Sequence, residues 1–156
     1  MLEIEIPGFG HVRLEHLVSD FTGTLSVDGR LLPGVKELLN NAARLVKLHV
    51  LTADTFGTAR MALDGVECIL TVLSGEVLDM QKERYVRDLR AEHVIAIGNG
   101  NNDRKMLAAA RIGVALIEGE GCSVNALSSA EIVVRSINEA LGLLFNTDRL
   151  KATLRT

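Results

Sequence analysis

Tryptophan is absent from this 156-residue chain, tyrosine occurs once and phenylalanine four times. So few rings leave little for the bases of a single strand to stack on. There is no long run of lysine or arginine either, and the formal net charge is −3. A phosphate-backbone partner calls for the opposite balance, so no nucleic-acid partner is expected. Cysteine is limited to Cys68 and Cys122, far apart and outside any C-x-x-C or Cys/His cluster. Cys68 is expected to be a buried thiol in a strand over Val66–Leu70, as most cysteines are buried. Cys122 lies in a Gly-rich loop before a helix and lacks an evident His or Asn partner for thiol catalysis. A secretory apolar region and a membrane-spanning stretch are also missing, which points to a cytoplasmic protein with no membrane partner. Two unpaired thiols agree with a reducing compartment.

What the chain does have is aliphatic bulk. The hydrophobic fraction is 47%, and with few aromatics Leu, Ile, Val and Ala must fill the core. A single domain over residues 1–156 is expected, large enough for one sizeable core. Leu2–Ile6 alternates at period two, Pro7–Gly10 breaks it, and Val12–Leu17 resumes strand patterning, a hairpin-like start. A short second hairpin turns at Asp28-Gly29. Pro33-Gly34 opens a helix whose stripe is Val35, Leu38, Leu39, Ala42 and Leu45. Further strands are predicted at Lys47–Leu51, Val66–Leu70, His93–Ile97, Ile112–Leu116 and Ile132–Val134. Helices are predicted through Ala59–Leu63, from about Glu76 to Leu89, at Arg104–Ala110 and at Ile137–Leu144. Strands alternating with helices predict an α/β fold, a Rossmann-like parallel sheet with helices on both faces.

In such sheets ligands bind beyond the carboxyl ends of the strands. Asp20 closes the apolar run Leu14–Ser19 and is followed by Phe21-Thr22-Gly23-Thr24, small residues that let backbone N–H groups converge beside a carboxylate. Thr52 and Asp54 follow the next strand, Asn99 and Asp103 a later one, and Lys82 lies on the helix before it. Phosphoryl transfer needs this combination: a carboxylate to attack phosphorus, oxygen ligands for a divalent cation, and a hydroxyl and an ammonium to hold the transferring oxygens. Mg²⁺ needs only two or three protein oxygens. Each residue also has a plainer use. Asp103 can cap a helix, Lys82 can be a solvated helix residue, Thr52 can satisfy a backbone group, and Asp20 can cap a turn.

The order of these segments resembles the haloacid dehalogenase-like superfamily, and within it the phosphorylation domain of P-type ATPases and the small soluble proteins like it. Asp20-Phe21-Thr22-Gly23-Thr24 matches the D-K-T-G-T of the ATPases, Thr52-Ala53-Asp54 their T-G-D, Lys82-Glu83-Arg84-Tyr85-Val86 their lysine and helix, and Gly98–Asp103 their G-D-G-x-N-D. The resemblance implies a core with little or no cap and an aspartyl phosphate formed on Asp20. It implies Mg²⁺ at Asp20, the Thr22 carbonyl, Asn99 and Asp103, with catalytic roles for Asp20, Thr22, Thr52 and Lys82. It implies that Phe21, Thr22, Thr52, Ala53 and Lys82 contact the phosphate of a small phosphorylated substrate. The expected function is a slow Mg²⁺-dependent phosphohydrolase, because superfamily phosphatases carry an acid–base Asp where this chain has Thr22. The alternative is a weak or inactive regulatory or interaction protein, which Thr22 and Asn99 favour. Nothing between Thr24 and Lys82 is long enough for a large cap, so the site is open or is covered by a neighbouring copy in a homo-oligomer.

Overall fold

The computed structural model describes residues 1–156. At its centre is a six-stranded, all-parallel sheet formed by β3 (His16–Asp20), β6 (Lys47–Thr52), β7 (Ile69–Val72), β8 (Val94–Gly98), β9 (Ile112–Leu116) and β10 (Ile132–Val134). Their order across the sheet is β10-β9-β8-β3-β6-β7. From β3 the chain winds outward through β6 and β7, then crosses to β8 on the other flank and winds outward again. The direction reverses between β3 and β8, where an open α/β sheet leaves a crevice.

Alternation along the central strands decides which face each residue covers. Leu17 of β3 and Ile95 and Ile97 of β8 enter the larger apolar cluster, with residues from α1 (Val35–Ala43), α6 (Ile137–Phe145) and α7 (Thr147–Leu154). Val18, Val94 and Ala96 enter the smaller cluster, against Val86 of α3 (Leu78–Asp88), Met106 and Leu107 of α4 (Arg104–Ala109) and Ala126 of α5 (Val124–Ser128). Burial on both faces explains why β8 reads as an uninterrupted apolar run. It also confirms the α/β class with helices on both sides.

The structure departs from the sequence-based expectation at several element ends. Val12–Leu17 is not one strand. It breaks at Glu15, so that β2 (Gly10–Leu14) pairs with β1 (Leu2–Ile6) in a separate two-stranded sheet, while β3 joins the main sheet. The hairpin's inward residues Ile4, Ile6, Val12 and Leu14 still reach the larger cluster. The small hairpin of β4 (Ser26–Val27) and β5 (Arg30–Leu31) turns at Asp28-Gly29, both with positive φ, as its sequence predicts. The strand expected at Val66–Leu70 begins instead at Ile69. The Asn40 side chain holds the Gly65 carbonyl and the Glu67 N–H, which ties that segment to α1 rather than to the sheet. Cys68 is therefore half-buried and outside the strand, contrary to expectation. The short α2 (Thr58–Ala62) completes the set of helices.

Candidate active site

Asp20 ends β3, and Ser19 is in register with Ile97 of β8, so the loop from Asn99 to Asp103 starts beside the carboxylate. The helix α3 lies over this edge and is clamped to α4, since Asp79 Oδ2 accepts from Arg104 Nη2 at 2.8 Å and pairs with Lys105 Nζ at 2.9 Å. One turn along α3, Lys82 points inward and is 1% exposed. Its ammonium donates to Asp20 Oδ1 at 2.6 Å and Asp103 Oδ1 at 2.7 Å, with a weaker third contact to Asn102 Oδ1 at 3.4 Å. A solvated lysine is thereby excluded. So is a simple helix cap at Asp103, whose Oδ2 instead accepts from the backbone N–H groups of Asn99 and Gly100 and ties down the preceding loop. Gly98 makes that approach possible, because a Cβ there would lie 2.6 Å from Asp103 Cγ.

Thr24 is a buried member of the site to which the sequence pattern alone assigns no role. Its hydroxyl lies 3.4 Å from Asp20 Oδ2 and 3.2 Å from Asn99 Oδ1, and its single proton serves one or the other. The signal available was its place in the Asp20–Thr24 motif. Asn99 is fixed further by Nδ2 donating to the Gly121 carbonyl at 3.0 Å. The close approach of this amide leaves no room for a side chain at Gly23, which also has φ +78.

A cavity of about 450 Å³ opens over these groups, lined by Asp20, Thr22, Ala53, Lys82, Asn99 and the Gly100–Asn102 loop. Asp103 lies behind Lys82, fully buried, rather than on the cavity wall. Thr52 is buried too, and its hydroxyl accepts from the Asp54 N–H at 3.1 Å, the plainer of its two expected uses. Asp54 caps the next turn through the Phe56 and Ala59 N–H groups. The Phe21 ring is packed in the larger apolar cluster, which leaves only its backbone to face the cavity edge.

Electrostatics at the site are tense. Burial raises the Asp20 carboxyl to about 7 and the Asp103 charge pushes the same way, against the pull of Lys82 and the Phe21 N–H. For Lys82, burial opposes the charged form, yet Asp20 and Asp103 outweigh it and raise the ammonium above its ordinary value. Two carboxylates around one ammonium leave a net negative charge, which a cation would relieve.

The donors near the cavity are all oxygens, with no imidazole or thiolate, as a hard cation such as Mg²⁺ requires. Asp20 Oδ2 has only the long Thr24 contact, and no backbone N–H donates to the Thr22 carbonyl. Asp103 has both oxygens engaged already. The set thus fits a cation that keeps several waters, with Asp103 as the group behind the ligands.

The site is thus framed by a parallel sheet with a carboxylate at the end of a central strand, a buried lysine, and a loop after the adjacent strand that ends in a buried aspartate. The chain belongs to the haloacid dehalogenase-like hydrolase superfamily, and residues 82–144 match that family directly. An uncharacterized protein of Methanocaldococcus jannaschii is 45% identical over 78 residues, covering 47% of this chain and 84% of that one. The zinc-transporting ATPase of Bacillus subtilis is 31% identical over 115 residues, covering 72% of this chain but 17% of the ATPase. The 3-deoxy-D-manno-octulosonate 8-phosphate phosphatase of Moraxella catarrhalis, solved with magnesium ion, phosphate ion and KDO, shares the fold. Its TM-score is 0.67 at 15% identity, over 91% of this chain and 94% of that one. No helix of the chain is long and apolar enough to cross a membrane.

Proposed function

We propose that the protein is a Mg²⁺-dependent phosphohydrolase of small phosphorylated substrates, acting through an aspartyl phosphate on Asp20 and most akin to the phosphorylation domain of P-type ATPases. The observation that carries this reading is the Asp20 carboxylate, held at the cavity floor by an ammonium it shares with Asp103. Lys82 fixes Oδ1 and leaves Oδ2 as the freer oxygen to attack phosphorus. As the Asp20–phosphorus bond forms, the bond from phosphorus to the leaving oxygen breaks, and that oxygen takes its proton from water. Water then attacks the phosphorus of the aspartyl phosphate. Asp20 departs as a carboxylate, inorganic phosphate is released, and the proton goes to solvent.

Asp20, the Thr22 carbonyl and Asn99 would hold Mg²⁺, with Asp103 behind them, and the ion would supply charge that neutralises phosphate oxygens. Lys82, the Thr52 hydroxyl and the backbone N–H groups after Asp20 and Thr52 would hold the phosphate. Removing one such donor costs about 3 kcal/mol of transition-state stabilisation. Thr22 is exposed at the cavity and a poor acid or base near neutrality, so help worth about 10²-fold or more is missing for poor leaving groups. Aryl and acyl phosphates should therefore react far faster than alkyl phosphates.

The test is steady-state hydrolysis of p-nitrophenyl phosphate, acetyl phosphate and an alkyl phosphate, with and without Mg²⁺, beside Asp20→Asn. Activity that needs both the metal and Asp20, and is slowest on the alkyl ester, is expected. Undiminished turnover by the variant would remove Asp20 as nucleophile, and equal rates on all three substrates would remove the leaving-group argument. The second reading, a regulatory protein that keeps the site without turnover, is favoured by one feature. Asn99 is neutral where a charged ligand is usual and is satisfied by Thr24 and Gly121. Beryllium fluoride and Mg²⁺ binding at Asp20 with no hydrolysis of any ester would select it.

A further inference from the structure

The largest cavity in the molecule is not the one over Asp20. It lies at the opposite edge of the sheet, where β3, β6 and β7 begin, and has a volume of about 620 Å³. Its size suits a small organic ligand. Leu45, Leu48 and Ile69 give it an apolar wall, and Arg44 and Lys47 line it beside two carboxylates, Glu15, which is paired with Arg13 at 2.8 Å, and Glu67. Neither Arg44 nor Lys47 has a carboxylate within ion-pair distance. His16 also lines the cavity. Its Nδ1 is 3.1 Å from His49 Nε2, and His49 Nδ1 is 2.9 Å from the Tyr85 hydroxyl. His16 Nε2 has no partner in the protein, and no polar side-chain atom of the chain is both buried and unpartnered. That nitrogen is therefore not sealed from solvent.

We propose that this cavity binds a small organic anion, an apolar body bearing one carboxylate, whose charge meets Arg44, Lys47 and His16 Nε2. The lining supplies aliphatic side chains for the body, two unpaired cations for the charge and a ring nitrogen able to donate, against one carboxylate without an ion pair, Glu67. Burial lowers His16, and Lys47 and the nearby His93 and Arg90 act in the same direction while Glu15 opposes them, so the ring is neutral when the site is empty. A neutral ring can donate from Nε2 only if Nδ1 carries no proton. His49 must then donate from Nε2, and its Nδ1 must accept from the Tyr85 hydroxyl. Occupancy would thus set the direction of a three-residue hydrogen-bond chain that ends on α3, one turn beyond Lys82.

Phenylacetate is a suitable probe, titrated at pH 7.5 into the full chain while the ring nitrogens of His16 and His49 are followed by nitrogen-15 NMR. Saturable shifts at residues 44–48 are expected, with protonated Nε2 and unprotonated Nδ1 in both rings at saturation. Arg44→Ala/Lys47→Ala, two exposed positions, should weaken binding about tenfold or more, since hydrogen bonds to charged groups are removed. The titration should be unchanged in Asp20→Asn, which separates this cavity from the one at the other end of the sheet and from any question of turnover. Shifts that do not saturate, shifts confined to the Asn99–Asp103 loop, unaltered affinity in the double variant, or a proton on His16 Nδ1 at saturation would each overturn the proposal.

Discussion

Replacing Lys82 by Met would keep most of its apolar stem but leave Asp20 and Asp103 facing each other with no counter-ion. Breaking a buried charge network by removing one partner costs about 3–5 kcal/mol. The loss should be smaller at pH 5 than at pH 8, because one carboxyl can take up a proton in acid. Urea midpoints of both proteins at the two pH values give the difference directly. Asn99 is the complementary case. Its amide oxygen accepts only from a hydroxyl that can turn away, while its Nδ2 donates to the Gly121 carbonyl at 3.0 Å, so Asn99→Asp adds a charge to the cation site at the loss of that one bond. Mg²⁺ should bind about tenfold or more tightly, judged from the strength of charged over neutral ligation. Isothermal titration with Mg²⁺ tests this, and an unchanged affinity would show that the side chain does not face the ion. Residue types at strand ends pointed to Asp20, Asn99 and Asp103 in the sequence, and the helix before the last of these strands to Lys82. They did not show that Asp103 would have both oxygens occupied, because that depends on how closely Gly98 lets two backbone segments approach.

Among the elements, α3 carries a visible strain. Val77, immediately before it, adopts φ +57 and ψ +43 with a β-branched side chain that is 60% exposed. The left-handed region costs such a residue about 1–3 kcal/mol, whereas Asn tolerates it. Val77→Asn should therefore raise the unfolding midpoint, equivalent to about 1 kcal/mol, because the exposed valine takes no part in either apolar cluster. Thermal unfolding of the two proteins measures it. The same residue explains why the predicted helix start at Glu76 fell two positions short of Leu78, since propensity says nothing of a strained turn. Central strands were legible because their apolar runs are buried on both faces. The strand at Ile69–Val72 was not, because Asn40 pulls Gly65 and Glu67 to α1 through bonds between positions distant in sequence. Nor was α7, whose inward face offers little beyond Leu150 to signal a helix.

For the molecule as a whole, two buried groups pull its acid response in opposite directions. Burial, with His16 and Lys47, lowers His49 from 6.5 to about 4. The unfolded chain then binds the extra proton, so stability is full above pH 6.5 and is lost as the pH falls toward 4. Asp20 is the reverse. Its folded value of about 7 lies above 3.8, so the native state holds the extra proton and stability falls as the pH rises from about 4 to 7. Each effect is on the order of 3–4 kcal/mol when taken as a full shift. Without metal they oppose each other, with the lowered His16 adding to the His49 arm, so the wild-type profile between pH 4 and 7 should be shallower than either effect alone. Asp20→Asn removes one arm. In chelator, its stability should climb through this window and exceed that of the wild type at pH 8, while adding His49→Gln should flatten the climb. Denaturant midpoints at pH 4.5, 6 and 8 read both slopes, and a flat profile in Asp20→Asn would show that His49 is not held neutral by its burial.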